Sequence, residues 1–156
     1  MPQHPDAGRV ELTDWATTGS AIRAIRETVF IHEQGVPVEL EWDGLDLSCA
    51  HVLAWNDRGE AIGTARMQQN GTIGRMAVLK DWRGRGVGRV LLHTLLDLAA
   101  KQGLTRVTLS AQTHALGFYE RAGFHVVGKP FMDAGIPHRK MLKELPAAKH
   151  QSEPGS

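Results

Sequence analysis

Residues 73–98 read I-G-R-M-A-V-L-K-D-W-R-G-R-G-V-G-R-V-L-L-H-T-L-L-D-L, and this order constrains the chain more than any other stretch. An apolar strand runs into a Gly/Arg turn, and the turn opens directly into an amphipathic helix. Val87, Val90, Leu91, Thr94, Leu95, Leu98 and Ala99 recur at steps of three and four, which gives that helix one apolar face. Gly103 follows as its stop. Glycines in such a turn let backbone approach a ligand closely, and the N–H groups of a helix's first turn have no intrahelical partner and point at an anion. The stretch therefore encodes an anion site, and which anion binds there decides the function.

The 156 residues fit one domain with room for a core. We expect a flexible arm at residues 1–8, a single domain at 9–145 and a flexible tail at 146–156. Apolar residues are 42% and charged residues 22%, ordinary values for a soluble globular protein. A net charge of +1 argues against a nucleic-acid or membrane partner. One cysteine, Cys49, allows no intrachain disulfide and points to a reducing compartment. No apolar run approaches the ~18 residues of a membrane span. The opening M-P-Q-H-P-D-A-G lacks the regions of a signal peptide, so a cytoplasmic location is expected.

Taken in order, residues 10–15 alternate like a strand. Thr17, Thr18 and Ser20 are capping types ahead of a helix in which Ile22, Ile25 and Val29 keep the period, with Arg23, Arg26 and Glu27 on its other faces. This helix should end near Gln34-Gly35. The acidic segment 36–48 carries Pro37 and Gly44 and should be irregular or briefly helical on the surface. Strands are predicted at 49–55, 61–68 and 72–79, with Asn70-Gly71 as a two-residue hairpin signal. After the helix come a strand at 106–111, a short helix at 114–121, a strand at 124–127, a loop at 131–137 and a last strand at 138–145. This succession implies an α/β (α+β) three-layer fold. Its centre is a mixed, mostly antiparallel twisted sheet of six to seven strands flanked by helices.

Three phosphate-binding loops compete for the Gly/Arg turn. A P-loop requires G-x-x-x-x-G-K-[ST], and no such Lys-Ser/Thr pair is present. A dinucleotide fingerprint requires G-x-G-x-x-G, and Leu91 stands where the third glycine belongs. The pattern [Q/R]-x-x-G-x-[G/A] is met by Arg83, Gly84, Arg85, Gly86, Val87 and Gly88. With this loop the chain resembles the Gcn5-related N-acetyltransferases (GNAT), and most of all the ElaA-like branch. V-F-I-H-E-Q (29–34), D-G-L-D (43–46), F-Y-E-R-A-G-F (118–124) and G-I-P-H (135–138) carry the likeness further. The resemblance implies acetyl-coenzyme A as donor and a sheet splayed at the cofactor strand. It implies pantetheine contacts from Met76, Ala77 and Val78, and pyrophosphate contacts from Arg83 through Arg89. An amine acceptor, a small molecule or a peptide, is implied as the other substrate, and a homodimer is compatible with it.

Acyl transfer to an amine requires removal of a proton from an ammonium of pKa ~10.4, stabilisation of an oxyanion and departure of a thiolate. Tyr119 is the only tyrosine, and the family places a tyrosine of F-Y-E near the coenzyme sulfur, so it is assigned as general acid. Glu33, Glu41, His51 and His138 are the candidates for the base, beside a water-relayed route. His51 lies in an apolar strand, where a structural histidine is commoner. Glu33 at a helix end reads equally as solvated or capping, and Glu41 as part of a solvated acidic face. Glu41 and His138 are carried forward as base candidates, and Glu33 and Arg75 as acceptor-side residues. Arg75 either faces the acceptor or pairs with a carboxylate such as Glu41. Acceptor sites in this fold are built by the variable segments, here 33–48 and 131–138. The histidines lack metal-ligand spacing, and no metal is expected. Cys49 reads as core, which favours direct transfer in a ternary complex. The alternative is a non-catalytic acyl-coenzyme A sensor on the same fold.

Overall fold

Asp14 ends the first strand and starts the first helix in a computed structural model of this chain, which describes residues 8–146. The expected terminal arm and tail lie outside the described residues, apart from Gly8 and Pro146. The Asp14 Oδ1 accepts the Thr17 N–H at 2.8 Å, so the cap is Asp14 and not the Thr17–Ser20 group. Asp14 wins because it sits in extended backbone immediately before the first helical residue.

The described chain forms two compact units, residues 8–69 with 73–95 and residues 70–72 with 96–146. The first holds strands β1 (Arg9–Thr13), β2 (Ala50–Trp55), β3 (Ala61–Met67) and β4 (Ile73–Val78) in one antiparallel sheet of that order. Helix α1 (Trp15–Arg26) runs on as a π-helix, Glu27–Glu33, and the short α2 (Val38–Glu41) follows. Ile22, Ile25 and Val29 pack with Leu53 and Ala77 as a buried cluster, fringed by Trp15, Phe30 and Trp55. Arg26 joins this buried face with 0% exposure, contrary to the outward position expected from its charge. Four residues after Ile22, it falls on the same stripe of the helix.

Helix α3 (Val87–Lys101) begins in the first unit and ends in the second. Its seat on β3 is Gly63, where a Cβ would lie 3.1 Å from Val87 Cγ1 and 3.2 Å from Leu91 Cδ1. The second unit holds β5 (Arg106–Gln112), α4 (Leu116–Arg121), β6 (His125–Asp133) and β7 (Ile136–Glu144), with the strands in the antiparallel order β5-β7-β6. The fold is thus the expected mixed α/β class, with seven strands in antiparallel pairing and four flanking α-helices among the described residues. Its strands divide into sheets of four and three.

Two loops differ from expectation. Residues 131–137 are not a loop. Asp133 pairs with Ile136 across a two-residue turn in which Ala134 and Gly135 have φ of 52° and 76°. That is the backbone a tight hairpin demands, and Ala at its first position hid it. Asn70-Gly71 is not a two-residue hairpin, because pairing resumes only at Met67–Ile73. Thr72 instead makes an isolated parallel bridge with Thr108, and Thr108 N–H donates to the Gly71 carbonyl at 3.1 Å.

Because Gly63 is in contact range on three sides, Gly63→Leu should lower the urea-unfolding free energy by about 1–3 kcal/mol. A change below about 0.5 kcal/mol would mean that α3 moves off β3 without penalty.

Candidate functional site

Arg75 sits in the left-handed region, with φ 49°, inside a β-strand. Between the Thr64–Ala77 and Arg66–Gly74 pairs β3 has one residue and β4 has two, Arg75 and Met76. This is a β-bulge whose special position holds arginine where glycine would be free of strain. An L-residue there costs about 1–2 kcal/mol. The Arg75 guanidinium offsets this by docking on α2 and the turn after it. Its Nη2 donates to the Glu41 carbonyl at 3.0 Å, the Leu40 carbonyl at 3.2 Å and Asp43 Oδ2 at 3.3 Å. Its Nε lies 3.2 Å from Glu41 Oε2. Of the two readings for Arg75, the carboxylate pair is the one present.

The network runs inward from there. Arg26 Nε donates to Glu41 Oε2 at 2.7 Å, and Arg26 Nη1 to Asp46 Oδ1 at 2.6 Å. Arg66 donates to Asp46 Oδ1 at 2.9 Å and to both Asp43 oxygens, at 3.0 Å to Oδ1. The Arg26 guanidinium lies 4.9 Å from the Trp42 ring centroid. The segment is therefore not the solvated acidic face its composition suggested. Glu41 is 2% exposed because α2 turns it onto Arg26 and Arg75. Burial raises its carboxyl above the ordinary value against the pull of these arginines. Burial also pushes Asp43 upward, but its bonds from Arg66 and the Leu45 N–H prevail and hold it at about 2. Arg26 and Arg66 were missed in the sequence. The available signal was an arginine on each of two otherwise apolar faces, at 22–29 and 61–67.

His51 is fully buried, with Nε2–H donating to the Asp46 carbonyl at 2.9 Å, and burial lowers its pKa. This fits the structural role expected for it. Cys49 is buried and its thiol is pushed up by desolvation, which leaves it a weak nucleophile.

The Gly/Arg turn occupies Arg83–Gly86, all exposed, with Gly84 and Gly86 at φ of 77° and 86°. Val90 N–H bonds to the Gly86 carbonyl, so α3 starts at the end of the turn. Val87, Gly88 and Arg89 supply the N–H groups of its first turn, and none of that turn's own residues is acidic. A pyrophosphate fits this cradle by chemistry: open backbone, a helix N-terminus of fifteen residues, and Arg89 exposed beside it. Arg85 lies 4.7 Å over the Trp82 ring. The Arg83 side chain serves the turn itself. It grips Glu33 bidentately at 2.6 and 2.7 Å and donates from Nε to the Val78 carbonyl at 2.8 Å. Glu33 is therefore neither merely solvated nor capping. Its bond from Arg83 keeps its carboxyl below the ordinary value. Met76, Ala77 and Val78 lie just upstream in β4, the edge strand of the first sheet.

In the second unit Tyr119 packs edge-on to Phe118 at 4.9 Å and to Phe124 at 6.0 Å. Burial pushes its phenol up to about 12, so it stays protonated across the physiological range. His138 lies on the middle strand β7, paired with Gln112 on one side and Phe131 on the other. Its Nδ1 stands 2.7 Å from the Ile136 carbonyl. A carbonyl only accepts, so Nδ1 carries the proton and Nε2 is the nitrogen able to take one. The Phe131 ring stacks on it at 5.8 Å.

Residues 20–145 match the family model described as the acetyltransferase (GNAT) domain. The chain is 39% identical over 124 residues to the uncharacterized N-acetyltransferase YjcF of Bacillus subtilis, covering 77% of this chain and 88% of that protein. To ElaA of Escherichia coli it is 31% identical over 133 residues, 80% of this chain and 86% of that one. The crystal structure of ElaA superposes with a TM-score of 0.79, covering 87% of this chain and 99% of that chain. An acyl-CoA N-acyltransferase from Pseudomonas aeruginosa, 32% identical, superposes with a TM-score of 0.76 over 86% of this chain and 99% of that chain.

Arg26→Leu would leave Glu41 and Asp46 buried with fewer partners, and should lower the unfolding free energy by about 3–5 kcal/mol in urea titrations. A loss below about 1 kcal/mol would mean that water compensates the carboxylates. Asp43 has a depressed folded pKa, so its contribution is complete above about pH 3.8 and is lost as pH falls towards 2. Glu41, raised, acts in the opposite sense. Stability measured from pH 5 to 2 should fall less steeply in Asp43→Asn than in the parent. Parallel curves would remove Asp43 from the acid response.

Proposed function

Because this chain belongs to the GNAT acetyltransferase family, we propose that it is an acetyl-coenzyme A-dependent N-acetyltransferase transferring directly to an amine in a ternary complex. The observation that carries the donor half is the exposed Arg83–Gly86 turn, which feeds the N-terminus of α3 immediately after the bulged edge strand β4. When bound, acetyl-coenzyme A supplies an acyl group already activated as a thioester.

The residues of the chain divide the remaining work. N–H groups of residues 84–89 and the positive end of α3 hold the pyrophosphate. Glu33 keeps Arg83 against the Val78 carbonyl, so the turn is set before the ligand arrives. The edge backbone at Met76, Ala77 and Val78 pairs with the pantetheine amides. The bulge at Arg75 re-aims these groups, and an N–H there polarises the acyl carbonyl.

As the amine nitrogen bonds to the acyl carbon, the carbon–sulfur bond breaks. The nitrogen's proton goes to a base, and the charge on sulfur is met by the Tyr119 hydroxyl. A phenol at about 12 is a dependable hydrogen-bond donor, though full transfer to a thiolate of pKa ~8.5 is uphill. Tyr119 therefore stabilises the departing sulfur chiefly by donating a hydrogen bond. Between the base candidates His138 is favoured. Its Nε2 is the basic nitrogen, whereas Glu41 is buried and committed to Arg26 and Arg75.

Thiol release with acetyl-coenzyme A and a panel of amines tests this reading. Tyr119→Phe should lower kcat about 10²-fold while the acetyl-coenzyme A Kd stays within about twofold. An unchanged kcat removes Tyr119 from the chemistry. Gly86→Glu sets a carboxylate and a side chain against a positive-φ position and should abolish binding by calorimetry. Undiminished affinity would mean that the pyrophosphate binds elsewhere.

A further inference from the structure

The segment from Pro37 to Ser48 is built inside out. Three of its four carboxylates, Glu41, Asp43 and Asp46, turn onto Arg26, Arg66 and Arg75, three negative charges against three positive. The fourth, Glu39, is exposed. The aliphatic side chains point the other way: Val38 is 54% exposed, Leu40 52%, Leu45 38% and Leu47 78%. One exposed leucine is unremarkable, but four large aliphatics within ten residues, beside buried charges, form a surface that water disfavours. This is one of the variable segments assigned above to the acceptor.

Resting on the transferase reading, we propose that the acceptor is a monoamine carried on an aliphatic or aromatic body. Electrostatics decides against a polyamine or an aminoglycoside. Such a polycation needs several carboxylates free to face it, and this segment has neutralised all but one internally. An apolar body gains by covering exposed aliphatic carbon, at roughly 25 cal/mol per Å² removed from water. The single exposed carboxylate, Glu39, suits an acceptor with one charge. Specificity on this account is set by Leu40 and Leu47, and the reaction centre is untouched by changes at either.

The test compares phenethylamine and hexylamine with spermidine and kanamycin at saturating acetyl-coenzyme A, reading kcat/KM by thiol release. The apolar-bodied amines should lead by about tenfold or more. Leu40→Ser and Leu47→Ser, both exposed and so tolerated by the fold, should raise the phenethylamine KM several-fold and leave the acetyl-coenzyme A Kd by calorimetry unchanged. Spermidine or kanamycin equal to or better than phenethylamine overturns the proposal while leaving the transferase reading intact. So does an unchanged phenethylamine KM in both variants. A shift of either variant from dimer to monomer in light scattering, with KM unchanged, assigns the apolar surface to a subunit interface and also overturns it. Tight acetyl-coenzyme A binding with no thiol release from any amine overturns the transferase reading, and the acceptor proposal with it.

Discussion

The ion pair between Arg75 and Glu41 holds two things in place at once. It keeps a left-handed arginine inside a strand, and it fastens α2 to that strand. Neither would persist alone. A four-residue helix is far below the length at which helices are stable in water, and an arginine at positive φ relaxes unless something over-determines it. Burying three carboxylates with three guanidinia adds little net stability, because desolvation consumes most of the attraction. What the network adds is uniqueness. With Arg26 and Arg66 fixed by α1 and β3, Glu41, Asp43 and Asp46 each face a guanidinium, and this pins the placement of the 38–48 segment.

The donor side rests on the same kind of arrangement, made at the surface. Arg83 is bound at three points by Glu33 and Val78, so the side chain with the most obvious attraction for phosphate is used to brace the turn. On the proposed reading, anion recognition then falls to backbone N–H groups and the helix end. Both segments use side-chain charge to shape backbone.

The parts of this fold that could be read from the sequence are those with local causes. The strand-turn-helix at 73–98 was legible because its glycines and its helical period are written in consecutive residues. The short helix that carries Tyr119 was legible because its residues run consecutively up to the Ala122-Gly123 stop. What was hidden depends on partners distant in sequence. Glu41 looked solvated because Arg26 lies fifteen positions away and Arg75 thirty-four. Arg26 looked exposed because arginine is seldom buried, although its spacing from Ile22 already put it on the inward stripe. The bulge carried no glycine to mark it. The 131–137 stretch read as a loop because Pro137 argues against a central strand, yet β5 pairs with β7 only from His138 onward, and no ladder bond is lost. The division of the strands into sheets of four and three follows from pairing choices that no local pattern records.

The π-helix at Glu27–Glu33 has a consequence for how this chain tolerates change in length. A π stretch is a helix holding one residue more than its turns require. Removing a single residue between Thr28 and His32 would let ordinary α geometry close through, without breaking the helix or its apolar stripe above Arg26. Seven residues of π-helix and one fewer of α-helix turn through nearly the same angle, so the deletion would leave Glu33 facing Arg83. The extra residue is thus absorbed inside the helix, and the brace of the anion turn, fifty positions away in the sequence, does not depend on it.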